Sequence, residues 1–214
     1  LKKYQNASAA LVNFISYSSK SYSSTLSNEI DSTIKTVVDN WYEENLLNKT
    51  DLKGNKYSSY IADTTFCSDR TLYNGDGYSL SKATTFNSYA RIAFDKIIPT
   101  LSCYQQSDIF KVSNGNLTYP IALITADEVA LAGGVHLSAN TKYYLYTGDT
   151  YWTMTPEIYT PGYATTRVSF VDVNGGIDGR WVAGVRSVRP VINIKADVQI
   201  ISGTGTKDNP YKIT

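Results

Sequence analysis

Apolar residues Ile30, Ile34, Val37, Val38 and Trp41 recur at i, i+4, i+7, i+8 and i+11. That spacing lines them along one face of a helix. Ser27, Asn28 or Ser32 can cap its start and the polar residues 48–51 end it. Trp41 is expected in the core with the rest of the stripe. A second, short helix is expected near residue 125, following a buried apolar run at 121–124. Thr125 with Glu128 three residues on forms a capping box, and Gly133 supplies the stop. Asp127 and Glu128 lie in the first turn of that helix, where carboxylates are favoured, and need no catalytic explanation.

Beyond residue 140 the pattern changes to short β-prone runs at 143–146, 152–154, 167–173, 180–182 and 188–194, separated by Gly and Pro. Residues 174–176, Asn-Gly-Gly, read as a hairpin turn between two of them. Residues 51–88 read as irregular, with turns at 53–55 and 74–77. The Ser/Tyr-rich stretch 16–28 reads as a surface loop, and Ala9, Leu11, Val12, Phe14 and Ile15 as a short apolar element. The Gly/Asn/Pro segment 203–211 is expected along an edge. These elements predict an α+β fold: an N-terminal amphipathic helix and a second short helix on short, mostly antiparallel strands. Residues 1–27 form a lead-in and 28–214 a single domain.

Composition narrows the function. The chain has 214 residues, 20 Lys+Arg against 19 Asp+Glu, and 18% charged residues, below the roughly 25% of ordinary soluble proteins. With a formal charge of +1 and no basic stripe, nucleic-acid binding is excluded as a leading role. Mean hydropathy is −0.25, and no apolar run reaches the 18–20 residues of a membrane span. Residues 1–26 lack the continuous apolar region of a signal peptide. Charge is replaced by Ser, Thr, Asn and 18 Tyr, a surface chemistry typical of paratopes and of exported bacterial surface proteins.

Phosphate-loop, dinucleotide and nucleophile-elbow motifs are absent from the sequence, and His136 reads as a loop residue. Asp69, Asn74 and Asp76 lack the spacing of a calcium loop. Cys67 and Cys103 are either one disulfide in an oxidising compartment or two thiols in a reducing one, and the exported-looking composition favours the disulfide. One His and two Cys do not complete a structural zinc site.

A series of motifs points to a family. The helix at 32–42 (STIKTVVDNWY) is followed by 66–70 (FCSDR), 99–103 (PTLSC) and 123–134 (LITADEVALAGG). After these come 144–148 (YLYTG), 151–156 (YWTMTP) and 188–195 (VRPVINIK). Together they resemble surface-protein domains of Gram-positive gut bacteria, some of which follow prepilin-type leaders. More distantly they resemble the C-type-lectin-like fold of formylglycine-generating enzymes (sulfatase-modifying factors). The resemblance spans residue 28 to the end. It implies a C-type-lectin-like fold and strengthens the Cys67–Cys103 disulfide. Catalysis does not carry over, because the enzymes use cysteines near the C-terminal end and this chain has none after Cys103.

The implied role is an extracellular, surface-displayed binding module, adhesin-like rather than an enzyme, recognising a host or bacterial surface glycan or protein. The alternative is a minor pilin or fibre subunit head assembled into a pilus or surface fibre. In this fold the ligand face is late in the chain, where Tyr151, Tyr159, Tyr163, Arg167, Asp172, Asn174, Asp178, Arg180 and Trp181 supply residue types typical of binding hot spots. Trp152 is expected in the core, and Trp181 stands between core and contact surface. Asp172 and Asp178 are the one late carboxylate pair worth naming for a glycosidase reading, which no motif supports. No cofactor is implied. Calcium is compatible with the fold, but no Glu-Pro-Asn or Gln-Pro-Asp loop is present.

Overall fold

Tyr151–Thr160 is the longest strand, and the rest of the chain is arranged around it. The computed structural model describes residues 3–5, 32–77, 81–94, 98–161, 165–182, 184–206 and 208–213. In chain order its strands are β1 (Lys3–Gln5), β2 (Phe66–Cys67), β3 (Leu72–Asn74), β4 (Thr84–Phe86), β5 (Ile109–Phe110), β6 (Ala122–Leu123) and β7 (Tyr151–Thr160). They continue with β8 (Thr165–Val171), β9 (Ile177–Trp181), β10 (Val185–Ser187), β11 (Pro190–Val191), β12 (Ile200–Ser202) and β13 (Lys212–Ile213). The helices are α1 (Thr33–Tyr42), α2 (Asn87–Ala93) and α3 (Ala126–Leu131). The architecture is α+β, with few helices and mostly antiparallel strands.

β7 pairs antiparallel with β8 and β4 and parallel with β10, while β9 extends the sheet from β8. β1 adds antiparallel to β10, so the first residues of the lead-in join the sheet. The 16–28 loop, the apolar element at 9–15 and Ile30 lie outside the described residues. Because β7 is covered on both faces, almost all of its side chains are buried and the usual alternation is lost. Trp152 and Met154 pack with Val168, Phe170 and Phe86 in the main core, which includes Ile34, Val38 and Tyr42 of α1. Tyr151 enters a second cluster with Val171, Ile177 and Val129. Pro156, which cannot donate to a ladder, sits where the β7–β8 register shifts.

Buried polar groups on β7 are tied to neighbouring backbone. The Thr153 hydroxyl donates to Ser169 O at 2.7 Å, and Thr155 Oγ1 accepts the Ala126 N–H at 2.8 Å. Ser88 of α2 donates to Pro156 O at 2.9 Å, docking that helix on the strand.

Ser32 caps α1 and the Thr125–Glu128 capping box opens α3. Trp41, however, is 40% exposed and Tyr42 takes the core position. The buried stripe runs Ile34, Val38, Tyr42, strict i, i+4 steps that leave Trp41 at its edge. Tyr42 then stacks on Tyr119, with ring centroids 4.9 Å apart.

Three other expectations are corrected. Residues 143–146 form a turn, anchored by the Tyr143 hydroxyl donating to Gly175 O at 2.9 Å. Of 188–194 only Pro190–Val191 is strand, pairing with β6. The backbone beyond it instead meets residues 60–62, through Ala62 N–H to Asn193 O and Lys195 N–H to Tyr60 O. The 203–211 segment closes a separate β12–β13 pair.

Cys67 and Cys103 are joined in a disulfide, Cα–Cα 5.7 Å. No helix among the described residues is long and apolar enough to cross a membrane.

Candidate functional site

The β8–β9 hairpin builds the most unusual surface of the molecule. Its turn is closed by Asp172, whose Oδ1 accepts the N–H groups of Asn174 and Gly176 at 2.7 and 2.9 Å. Gly175 occupies the left-handed region there, φ +82°. The register sets Arg167 opposite Trp181 and Ser169 opposite Gly179. Arg167 Nη2 donates to Gly179 O at 2.8 Å and lies 3.9 Å from Asp178 Oδ1.

Beneath Arg167 lies Glu157 of β7, with no exposed surface. Its Oε1 accepts the Ser169 hydroxyl at 2.9 Å. Its Oε2 has no hydrogen-bond partner, only an ion pair to Arg167 Nε at 3.6 Å. Gly179 makes room for it, since a Cβ there would stand 1.5 Å from Oε2. Burial pushes the Glu157 carboxyl up to about 7, reinforced by Asp178 and only partly opposed by Ser169 and Arg167.

A row of rings leads into this group. Tyr73 and Phe94 lie 5.5 Å apart by centroid, Phe94 and Tyr89 5.3 Å, and Tyr89 and His136 5.6 Å. Tyr89 is held above its ordinary value by burial first, then by the charge of Glu157. His136 is pushed below its ordinary value by burial, and it feels both Asp178 and Arg167. Next to it Leu137 has φ +51°, a costly conformation for a non-glycine residue. Leu137 N–H to Ile177 O and Ile177 N–H to Val135 O, at 2.9 and 3.0 Å, hold this loop on the start of β9. Tyr73, Phe94 and Trp181 are each about half-exposed, at 51, 50 and 45%.

The residues marked from sequence therefore separate. Arg167 and Trp181 share one face of the hairpin, with Asp178 within 3.9 Å of Arg167, while Arg180 stands on the other face, opposite Val168; Asn174 is exposed at its turn and Asp172 holds that turn. Tyr151 and Tyr159 are corrected: both are buried core residues and form no part of a contact surface. The Tyr151 hydroxyl donates to Leu145 O at 3.3 Å, and its ring is covered by Arg189. Tyr163 lies outside the described residues. Tyr73, Tyr89, Phe94, His136 and Glu157 were not marked. Local patterning carries no signal for the first four, because three segments far apart in sequence bring them together. Glu157 had one available signal, a carboxylate inside a long β-prone run.

Two concavities lie elsewhere. A polar cleft of about 380 Å³ is lined by Thr64, Asp69, Arg91, Thr100, Asp127 and Asn193, among others. Its charges are committed to one another: Arg91 donates from Nε and Nη2 to Asp127 at 2.7 and 2.6 Å and from Nη1 to Asp69 at 2.5 Å. Burial alone would lower the Arg91 guanidinium, but Asp127 and Asp69 outweigh it and hold it above its ordinary value. Asp127 also accepts the Thr100 N–H at 2.9 Å. This knot fastens α2, α3 and the loop before Cys103. Beside it runs an apolar groove of about 580 Å³ that includes Leu101, Leu131, Tyr144 and Ile192. Among the described residues no group of three or more His, Cys, Asp or Glu side chains is placed to hold a metal ion.

Comparison with protein-family models gives no match for this chain. Neither curated protein sequences nor solved structures match it.

Proposed function

We propose that this chain is an extracellular binding module whose contact surface is the ring row Tyr73–Phe94–Tyr89–His136 together with Arg167, Asp178 and Trp181. The observation that carries the reading is half-exposed Trp181 directly across the ladder from part-exposed Arg167, with the ring row reaching the same group through His136. Aromatic and Arg side chains dominate binding energetics, and exposed apolar patches of this kind mark interaction sites.

The Cys67–Cys103 disulfide supports display in an oxidising compartment, at a cell surface. The α+β architecture and the family-like motifs support a C-type-lectin-like module. Binding rather than chemistry is the role, directed at a surface glycan or protein.

The test is a screen of the purified, disulfide-intact chain against glycans and host surface proteins, with and without calcium. A Phe94→Ser, Trp181→Ala variant with unchanged melting temperature runs beside it. Binding by the wild type that the variant loses supports the reading. Binding that survives in the variant moves the site elsewhere, and no binding at all favours a fibre or scaffold subunit.

A further inference from the structure

We propose that the ligand of this face is an acidic saccharide, a sugar carrying a carboxylate that Arg167 reads, and that the buried Glu157 competes with it for Arg167. The inference rests on the binding-module reading above.

Arg167 is an arginine with capacity left over. Of the five N–H groups of a guanidinium, one makes a close hydrogen bond, to Gly179 O at 2.8 Å. The ion pairs to Glu157 and Asp178, at 3.6 and 3.9 Å, are longer than hydrogen bonds. The side chain is 31% exposed. A planar fork with free donors at a surface matches a carboxylate bidentately, which no ammonium does.

Charge on this face is that of Arg167 against half-buried Asp178 and buried Glu157. Arg180 stands opposite Val168 and the Arg186 guanidinium lies 4.4 Å from the Phe170 ring, both on the other face of the ladder. One guanidinium fork suits one carboxylate. A dianionic phosphate would meet Asp178 and Glu157 at close quarters.

The aromatic residues favour a sugar over an acidic peptide. Trp181, directly across the ladder from Arg167, and the ring row offer flat surfaces for the C–H face of a pyranose. Asp178 and His136 offer acceptors for its hydroxyls.

Glu157 makes this binding sensitive to pH. The charged and titratable groups facing it are Arg167 from β8, Asp178 from β9 and Tyr89 from α2, with His136 beyond Tyr89. Tyr89 is raised and stays neutral, and His136, pushed below its ordinary value, is mostly neutral above pH 6.5. Between pH 8.5 and 6.5 Glu157 takes up a proton, its hold on Arg167 weakens, and a sugar carboxylate, still ionised, binds more tightly.

The experiment titrates the disulfide-intact chain with oligogalacturonate and sialyllactose at pH 6.5 and 8.5. Methyl-esterified oligogalacturonate, lactose and an oligoglutamate peptide serve as comparators. The expected result is binding of the acidic sugars alone, about tenfold weaker at pH 8.5. Glu157→Gln should bind at both pH values with wild-type pH 6.5 strength. Arg167→Gln should lose binding, and Arg167→Lys, which keeps the charge without the fork, replaces it if the glutamine variant does not fold. Equal binding of the neutral sugars overturns this inference and leaves the module reading standing. Preference for the peptide overturns it too. Binding of the acidic sugars that ignores pH in the wild type removes the role of Glu157. No binding to any saccharide or protein in either screen overturns both readings.

Discussion

Glu157 of β7 lies against Gly179 of the hairpin, where no Cβ would fit. A carboxyl raised to about 7 by burial binds a proton in the folded state that the unfolded chain, near 4.3, has released. Its contribution is therefore fully present below pH 4 and is lost as pH rises through 7. Glu157→Gln removes that loss. Denaturant unfolding at pH 5 and pH 8 should show wild-type stability falling relative to the variant, by an amount on the order of 3 kcal/mol at full ionisation. Equal pH slopes would show that Glu157 is solvated. Gly179→Ala places a methyl where the Glu157 carboxyl lies and should cost about 2–3 kcal/mol. Combined with Glu157→Ala it should cost less than the sum of the two single changes. Their juxtaposition was not legible, because it is set by the β7–β8 and β8–β9 registers together and not by local sequence.

At the scale of elements, what depends on neighbours in sequence was readable. The Ser32 cap, the Thr125–Glu128 box and the Asn-Gly-Gly hairpin turn are each written within a few residues. α2 was missed because its seven residues follow directly from β4 with no side-chain cap. It is held by tertiary bonds, Ser88 to Pro156 O and Arg91 to Asp69 and Asp127. The 143–146 turn alternates buried and exposed residues as a strand would, so periodicity misassigned it. The same ambiguity affected Trp41, since heptad-like spacing fits both edges of a stripe. Tyr42→Ala should therefore destabilise the protein by about 3 kcal/mol, whereas Trp41→Ala should cost under about 1 kcal/mol. Thermal or denaturant melts of the two variants check this, and the reverse order would rotate α1 on its core.

Across the whole molecule, the disulfide and the Arg91 knot fasten the segment between β4 and β6, and α2 lies between the polar cleft, which Ser88 and Arg91 line, and the ring row, to which it gives Tyr89. The disulfide spans 36 residues of sequence, a loop for which chain-entropy arguments give a stabilisation of up to about 4 kcal/mol. Reduction should lower the denaturant midpoint by the equivalent of about 2–4 kcal/mol. Glu157→Gln should show the same pH difference before and after reduction. A pH difference that disappears on reduction would mean that the disulfide acts on Glu157 through α2, whose Ser88 docks on Pro156.

A binding screen of two folded variants distinguishes the hairpin face from the groove. Phe94→Ser, Trp181→Ala alters the hairpin face, and Leu101→Ser, Tyr144→Ser alters the apolar groove. Ligand binding should be lost in the first and retained in the second. Retention in the first with loss in the second would contradict this and make the groove the site.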